Sequence, residues 1–186
     1  SHGKNQVYPG DNFAYHLKPF RAAIEAGVSA IMPYYGVPIR VTYEGVTYDQ
    51  VGFAFSRQIV TDLLRGKLGF RGYVNSDTGI INDRAWGLET KTVPERVAAA
   101  INGGTETLSG FNVNQTIVDL VNDGLVSEAR IDEAAKRLLK EQFQLGLFEN
   151  PYVDESQAAG IIGSEAHRAV ALDIQRKSIV LLQNQE

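Results

Sequence analysis

Three short strand-like runs, each preceded by an amphipathic helical stretch, constrain the fold of this chain more than any other feature. The runs are Val28 to Met32, Tyr73 to Val74 and Thr105 to Leu108. The stretches before them are Phe13 to Ala26, Phe55 to Leu68 and Thr92 to Gly103. Phe13, Leu17, Phe20, Ala23 and Ile24 mark one helical face, and Ile59, Val60, Leu63 and Leu64 mark the next. Gly27 and Gly103-Gly104 stand where helices stop, and Ser56 can cap the second helix. Thr92-Val-Pro-Glu95 spells a capping box with proline in the first turn. Pro19 threatens to kink or shorten the first helix. A fourth helix, from about Asn112 to Asn122, completes a helix–strand alternation that predicts an α/β fold. Its strands should be parallel, joined by right-handed crossovers.

The remaining segments fit around this frame. Lys4 to Asn12 is polar and turn-rich, and a long excursion joins Tyr34 to Phe53. Within it, Arg40 to Tyr43 and Val46 to Asp49 alternate around Glu44-Gly45, a hairpin signal. Ile131 to Phe143 is amphipathic, residues 153–163 read as a linker, and Ser164 to Lys177 is a last helix. It leads to Ser178 to Leu182, the start of a strand.

Composition narrows the partners. With 18 Lys plus Arg against 22 Asp plus Glu, the net charge is −4, which argues against nucleic-acid and anionic-membrane surfaces. No apolar run approaches the roughly 18 residues of a membrane span. There are no cysteines, hence no disulfides or thiolate sites, and no histidine pair has metal spacing. The sequence therefore predicts no cofactor and no metal. Ser1-His2-Gly3 reads as a cleavage scar (residues 1–2) joined to an internal start.

Asp77 is the candidate for chemistry. It falls where the Tyr73-Val74 strand should end, and in parallel α/β folds reactive groups sit at strand ends and in the loops after them. A carboxylate there can attack, take a proton, bind a metal or merely cap a turn. Tyr35, just after the first strand, and Trp86, in an expectedly exposed loop from Ile80 to Glu89, are the other candidates. Asp83 and Arg84 lie in the same loop as Trp86 and read as solvated loop charges; Glu106 follows the first residue of the third strand and could line the site, but reads as structural.

Several blocks together resemble family 3 glycoside hydrolases, the β-glucosidase and β-xylosidase family. They are Pro19-Phe-Arg-Ala-Ala-Ile-Glu-Ala-Gly27, Ile31-Met-Pro-Tyr-Tyr35, Leu63-Leu-Arg-Gly-Lys-Leu-Gly-Phe70, Gly72-Tyr-Val-Asn-Ser-Asp77 and Asn102-Gly-Gly-Thr-Glu106. Arg130-Ile-Asp-Glu-Ala-Ala-Lys-Arg-Leu-Leu139, Gly146 to Pro151 and Lys177 to Asn184 close the series. The resemblance implies the C-terminal part of a (β/α)₈ barrel over residues 1–152, a linker at 153–163, and the helix and first strand of a following α/β sandwich domain at 164–186. It implies a retaining, exo-acting β-glycosidase acting on β-linked glucoside or xyloside oligosaccharides, in a parent enzyme that is secreted or periplasmic. Asp77 matches the family's nucleophile, and Tyr35 a tyrosine near it. Many members carry Trp after the nucleophile; here Thr78 takes that place, and Trp86 is the candidate to stack on a sugar instead.

The resemblance places the Lys-His pair and the residues that grip the sugar in the N-terminal barrel half, and the general acid in the sandwich domain, both expected to be missing here. A fragment so cut is expected to be inactive alone, structural in role, and able to form homo-oligomers through open edges and apolar faces such as Ile59 and Leu63. Asp77-Thr78-Gly79 is also the Asp-Thr-Gly of aspartic proteases. The helical patterns, and Ile80 where a small residue is expected, do not fit that class.

Overall fold

The computed structural model describes residues 3–185, so Ser1-His2 of the expected scar and Glu186 lie outside the described residues. The chain divides into two compact units, Ser1–Leu145 and Gly146–Glu186.

In the first unit, β1 (Asn5–Gln6) pairs in parallel with β3 (Val37–Pro38). Neither strand shows in the sequence pattern, because a two-residue strand is too short to alternate. α1 (Phe13–Glu25) runs through Pro19 without a break and buries Phe13 and Leu17. β2 (Ala30–Ile31) pairs in parallel with β6 (Tyr73–Val74), in register Ala30 to Tyr73 and Ile31 to Val74. The expected hairpin forms from β4 (Thr42–Tyr43) and β5 (Val46–Thr47), with Glu44 and Gly45 both at positive φ, as a two-residue turn requires.

The second expected helix departs from the α form. A 3-10 turn at Phe53–Phe55 leads into a π-type helix, Gln58–Lys67. Ser56 Oγ accepts the Ile59 N–H at 3.3 Å, as a cap should. α2 (Val93–Gly103) starts at the expected capping box and ends at Gly104 in the left-handed conformation. The expected third strand is reduced to a single parallel bridge between Asn75 and Thr107. Glu106 and Thr107 both donate their N–H to Val74 O, at 2.9 and 3.2 Å, so one acceptor serves two donors and no regular ladder builds. α3 (Asn114–Asn122) and α4 (Glu128–Gln144) follow.

Three apolar clusters form the core of this unit. One joins Val60, Leu64, Phe70 and Val74; another, larger, joins Tyr35, Phe55, Ile80, Ile81, Val97, Ile101 and Leu120. Ile59 and Leu63, expected to be open, are only 7% and 3% exposed, because Phe13, Leu17, Val41 and Tyr48 cover them. Exposed apolar residues of this unit include Phe20 and Met32 near β2, and Leu139 and Phe143 on α4.

The second unit holds a 3-10 turn (Glu155–Gln157), α5 (Ala158–Ile161) and α6 (Glu165–Ser178). The expected linker is thus partly helical. The expected strand from Ser178 forms no pairing, and Ile179 to Leu182 are exposed. Among the described residues no helix is long and apolar enough to cross a membrane.

Candidate active site

β6 delivers Asp77 by simple alternation. Val74 and Ser76 point into the core and are buried, so Asn75 and Asp77 point the other way, and Asp77 is half-buried. The strand end is held firmly. Asn75 N–H donates to Ile31 O at 3.1 Å and Ser76 N–H to Thr107 O at 3.0 Å. Ser76 Oγ accepts the Ser109 N–H at 2.8 Å, and Gly79 N–H donates to Ser109 O at 3.0 Å. The Asp77 carboxylate accepts the Thr78 N–H at 2.7 Å through Oδ1.

After Asp77 the chain wraps on itself. Asp83 and Arg84 both donate their N–H to Gly79 O at 2.9 Å. Gly79 has φ +79°, and an added Cβ would meet Asp83 Oδ2 at 2.7 Å, so this turn needs glycine. The loop from Ile80 to Glu89 is not the open loop expected from its composition, since Ile80, Ile81 and Ala85 are buried in the larger core. Arg96 on α2 pins it, donating to Ile81 O at 2.9 Å, Leu88 O at 3.2 Å and Glu89 O at 2.9 Å.

This wrapping brings Trp86 and Arg84 to Tyr35. The Trp86 ring meets the Tyr35 ring edge-on, with centroids 5.3 Å apart. The Arg84 guanidinium lies 5.1 Å from the Tyr35 ring centre, a cation over a π face. Tyr34 packs on the same ring at 4.8 Å. Burial raises the Tyr35 phenol above its ordinary pKa, and the Asp77 charge raises it further, while Arg84 pulls it down. Tyr35 therefore keeps its O–H at neutral pH. The Ile31–Tyr35 and Gly72–Asp77 blocks are therefore brought together, and Trp86 joins them through Tyr35.

Sequence reasoning missed the role of Arg84, which is half-buried and not a solvated loop charge. The available signal was Gly79, whose turn reverses the loop. The Glu106 side chain is fully buried and ion-paired to Arg65, Arg130 and Arg137. Among the described residues no group of three or more His, Asp or Glu is placed to hold a metal ion.

The first unit is thus of the α/β class, with a half-buried carboxylate just past a parallel strand and the buried Tyr35 near enough to feel its charge. Comparison with known sequences makes the class specific. The chain belongs to the family 3 glycosyl hydrolases, since the family model for their N-terminal domain matches residues 5–140. It is 46% identical to β-glucosidase C of Emericella nidulans over 195 residues, covering 100% of this chain and 31% of that protein. It is 38% identical to a periplasmic β-glucosidase/β-xylosidase of Dickeya chrysanthemi, covering 98% of this chain and 31% of that protein. Among solved structures, a β-glucosidase involved in saponin metabolism from intestinal bacteria superposes with a TM-score of 0.75 at 30% identity, covering 90% of this chain and 21% of that one. The chain thus spans about a third or less of the length of these relatives.

Proposed function

We propose that this chain is the C-terminal part of the (β/α)₈ barrel of a retaining, exo-acting β-glycosidase, followed by a linker at 153–163 and the start of an α/β sandwich domain. The observation that carries this reading is Asp77, half-buried at the C-terminal end of parallel β6 and coupled to the neutral Tyr35. The substrates are β-linked glucoside or xyloside oligosaccharides. The names of the Emericella and Dickeya relatives support that class, and the periplasmic one supports an exported parent.

In this mechanism an Asp77 oxygen attacks the anomeric carbon as the glycosidic C–O bond breaks. An acid roughly 5–5.5 Å away, from another part of the parent, protonates the leaving oxygen. Water activated by that same residue then cleaves the glycosyl–Asp77 ester, regenerating the carboxylate. Tyr35 donates its O–H to the carboxylate or to the sugar. Trp86 offers the aromatic surface that Thr78 does not.

Two experiments test this. In the longer enzyme, Asp77→Gly should abolish most turnover while sugar binding persists, and a 2-fluoro glycoside should label the Asp77 peptide. Label on a different carboxylate refutes the assignment. The isolated chain should be inactive on an aryl β-glucoside and should self-associate, because Phe20, Met32, Leu139 and Phe143 are exposed and, among the described residues, β2 pairs with β6 alone. Light scattering that shows a monomer with measurable turnover overturns that part.

A further inference from the structure

Glu106 is a carboxylate with no exposed side-chain surface, surrounded by three arginines. Its Oε2 accepts Arg65 Nη2 at 2.7 Å and the Val74 backbone N–H at 2.6 Å. Its Oε1 accepts Arg130 Nη2 at 3.1 Å and Arg137 Nη1 at 2.6 Å. The arginines reach onward to the backbone. Arg65 Nη1 donates to Gly72 O at 2.8 Å, Arg130 Nε to Ile101 O at 2.9 Å and Arg130 Nη2 to Thr105 O at 3.1 Å. Arg137 also pairs with Glu133 on its own helix.

Stability alone is a poor reason for such a cluster, because well-packed apolar groups often serve as well as buried ions. What apolar groups cannot do is fix individual backbone atoms. Glu106 and Arg65 together hold Val74 N–H and Gly72 O, the two peptide groups that flank Tyr73 in β6. From there the two strand segments are joined step by step toward the site. Glu106 N–H and Thr107 N–H meet Val74 O, Ser76 N–H meets Thr107 O, and Gly79 N–H meets Ser109 O. Asp77 lies between the last two links.

We propose that Glu106 is a positioning residue for Asp77. Its carboxylate, gripped by Arg65, Arg130 and Arg137, sets the register of β6 against residues 105–109, and so the direction in which Asp77 leaves the strand end. The inference rests on the reading of Asp77 as nucleophile. Glu106 itself touches no substrate. Positioning matters here because the attacking oxygen must lie about 3–3.5 Å from the carbon, and a misplacement of about 1 Å can cost on the order of 100-fold.

The test uses the longer enzyme that carries this segment. Glu106→Gln leaves three arginines facing an amide and risks misfolding, so Arg65→Lys and the charge-balanced pair Glu106→Gln with Arg65→Met accompany it. Lysine keeps the charge but cannot bridge Glu106 and Gly72 O with a flat fork. In the folded variants, kcat and the rate of 2-fluoro glycoside labelling at Asp77 should each fall at least about tenfold, with KM changed less than about threefold. Amide exchange at Ser76 and Gly79 should accelerate, and Glu106→Asp should lie between wild type and the paired variant. Variants that melt at lower temperature yet label Asp77 at the wild-type rate overturn the proposal and leave Glu106 a stabilising residue only. Labelling of another carboxylate in the unsubstituted enzyme overturns the Asp77 reading instead, so the two failures are distinct.

Discussion

Gly72→Ala probes the close approach of β2 and β6 beneath the site. Tyr73 N–H donates to Ser29 O and Asn75 N–H to Ile31 O, both at 3.1 Å. A Cβ on residue 72 would stand 2.6 Å from the Ser29 carbonyl carbon, closer still to its oxygen, and 2.8 Å from Phe70 Cζ. Ordinary carbon–oxygen contacts begin at about 3.3 Å. The two strands must therefore part locally by roughly 1.4 Å, which carries both hydrogen bonds out of useful range. Each such bond contributes about 1 kcal/mol, and the overpacking against Phe70 adds about 1 kcal/mol more. The expected loss is about 3 kcal/mol, or roughly 6–12 °C in Tm for a unit of this size. Thermal melts followed by circular dichroism, with urea titration as a second measure, read this directly. Amide exchange at Tyr73 and Asn75 should speed up in parallel. A melt within about 2 °C of wild type, with exchange unchanged, would refute the reasoning: the turn before β6 would then yield without disturbing the pair.

Other perturbations address the loop and the helix behind it. Thr92→Ala should cost about 1 kcal/mol by removing the α2 cap, measured by urea titration at neutral pH. The Thr92 backbone N–H and hydroxyl, then Lys91, hold the Glu95 carboxyl down at about 2. Because this folded-state pKa lies below the unfolded one, the contribution is present above about pH 4.5 and is lost as pH falls toward 2. The melting difference between wild type and Thr92→Ala should accordingly shrink over that range; a constant difference would contradict it. In the longer enzyme, Trp86→Ala should raise KM for an oligosaccharide more than for a small aryl glycoside, and equal effects would return Trp86 to a packing role behind Tyr35.

The helices, the hairpin and the capping box were legible in the sequence because they depend on near neighbours. Thr92 and Glu95 satisfy one another three residues apart, and Glu44-Gly45 supply their own turn. The place of Asp77 was legible for a related reason: Tyr73-Val74 reads as a strand from its own residues, and Asp77 falls just past its end. The series of family blocks then gave that position a chemical meaning. The burial of Ile59 and Leu63 was not legible, since it depends on Phe13 and Tyr48 reaching them from distant segments. Nor was the third strand's reduction to a single bridge, which follows from two donors sharing Val74 O.

The neighbourhood of the candidate nucleophile was decided by tertiary structure alone. Arg84 looked like a solvated charge until the turn at Gly79 laid it over Tyr35, which itself arrives from the β2 side of the fold. Glu106 looked merely structural until three arginines from the π-type helix and α4 converged on it and reached through to the backbone of β6. Local sequence fixes which residues an element presents, because propensity and periodicity act over one or two turns of chain. Which charges meet depends on contacts 24 to 41 residues apart in sequence, and only the folded backbone sets those distances.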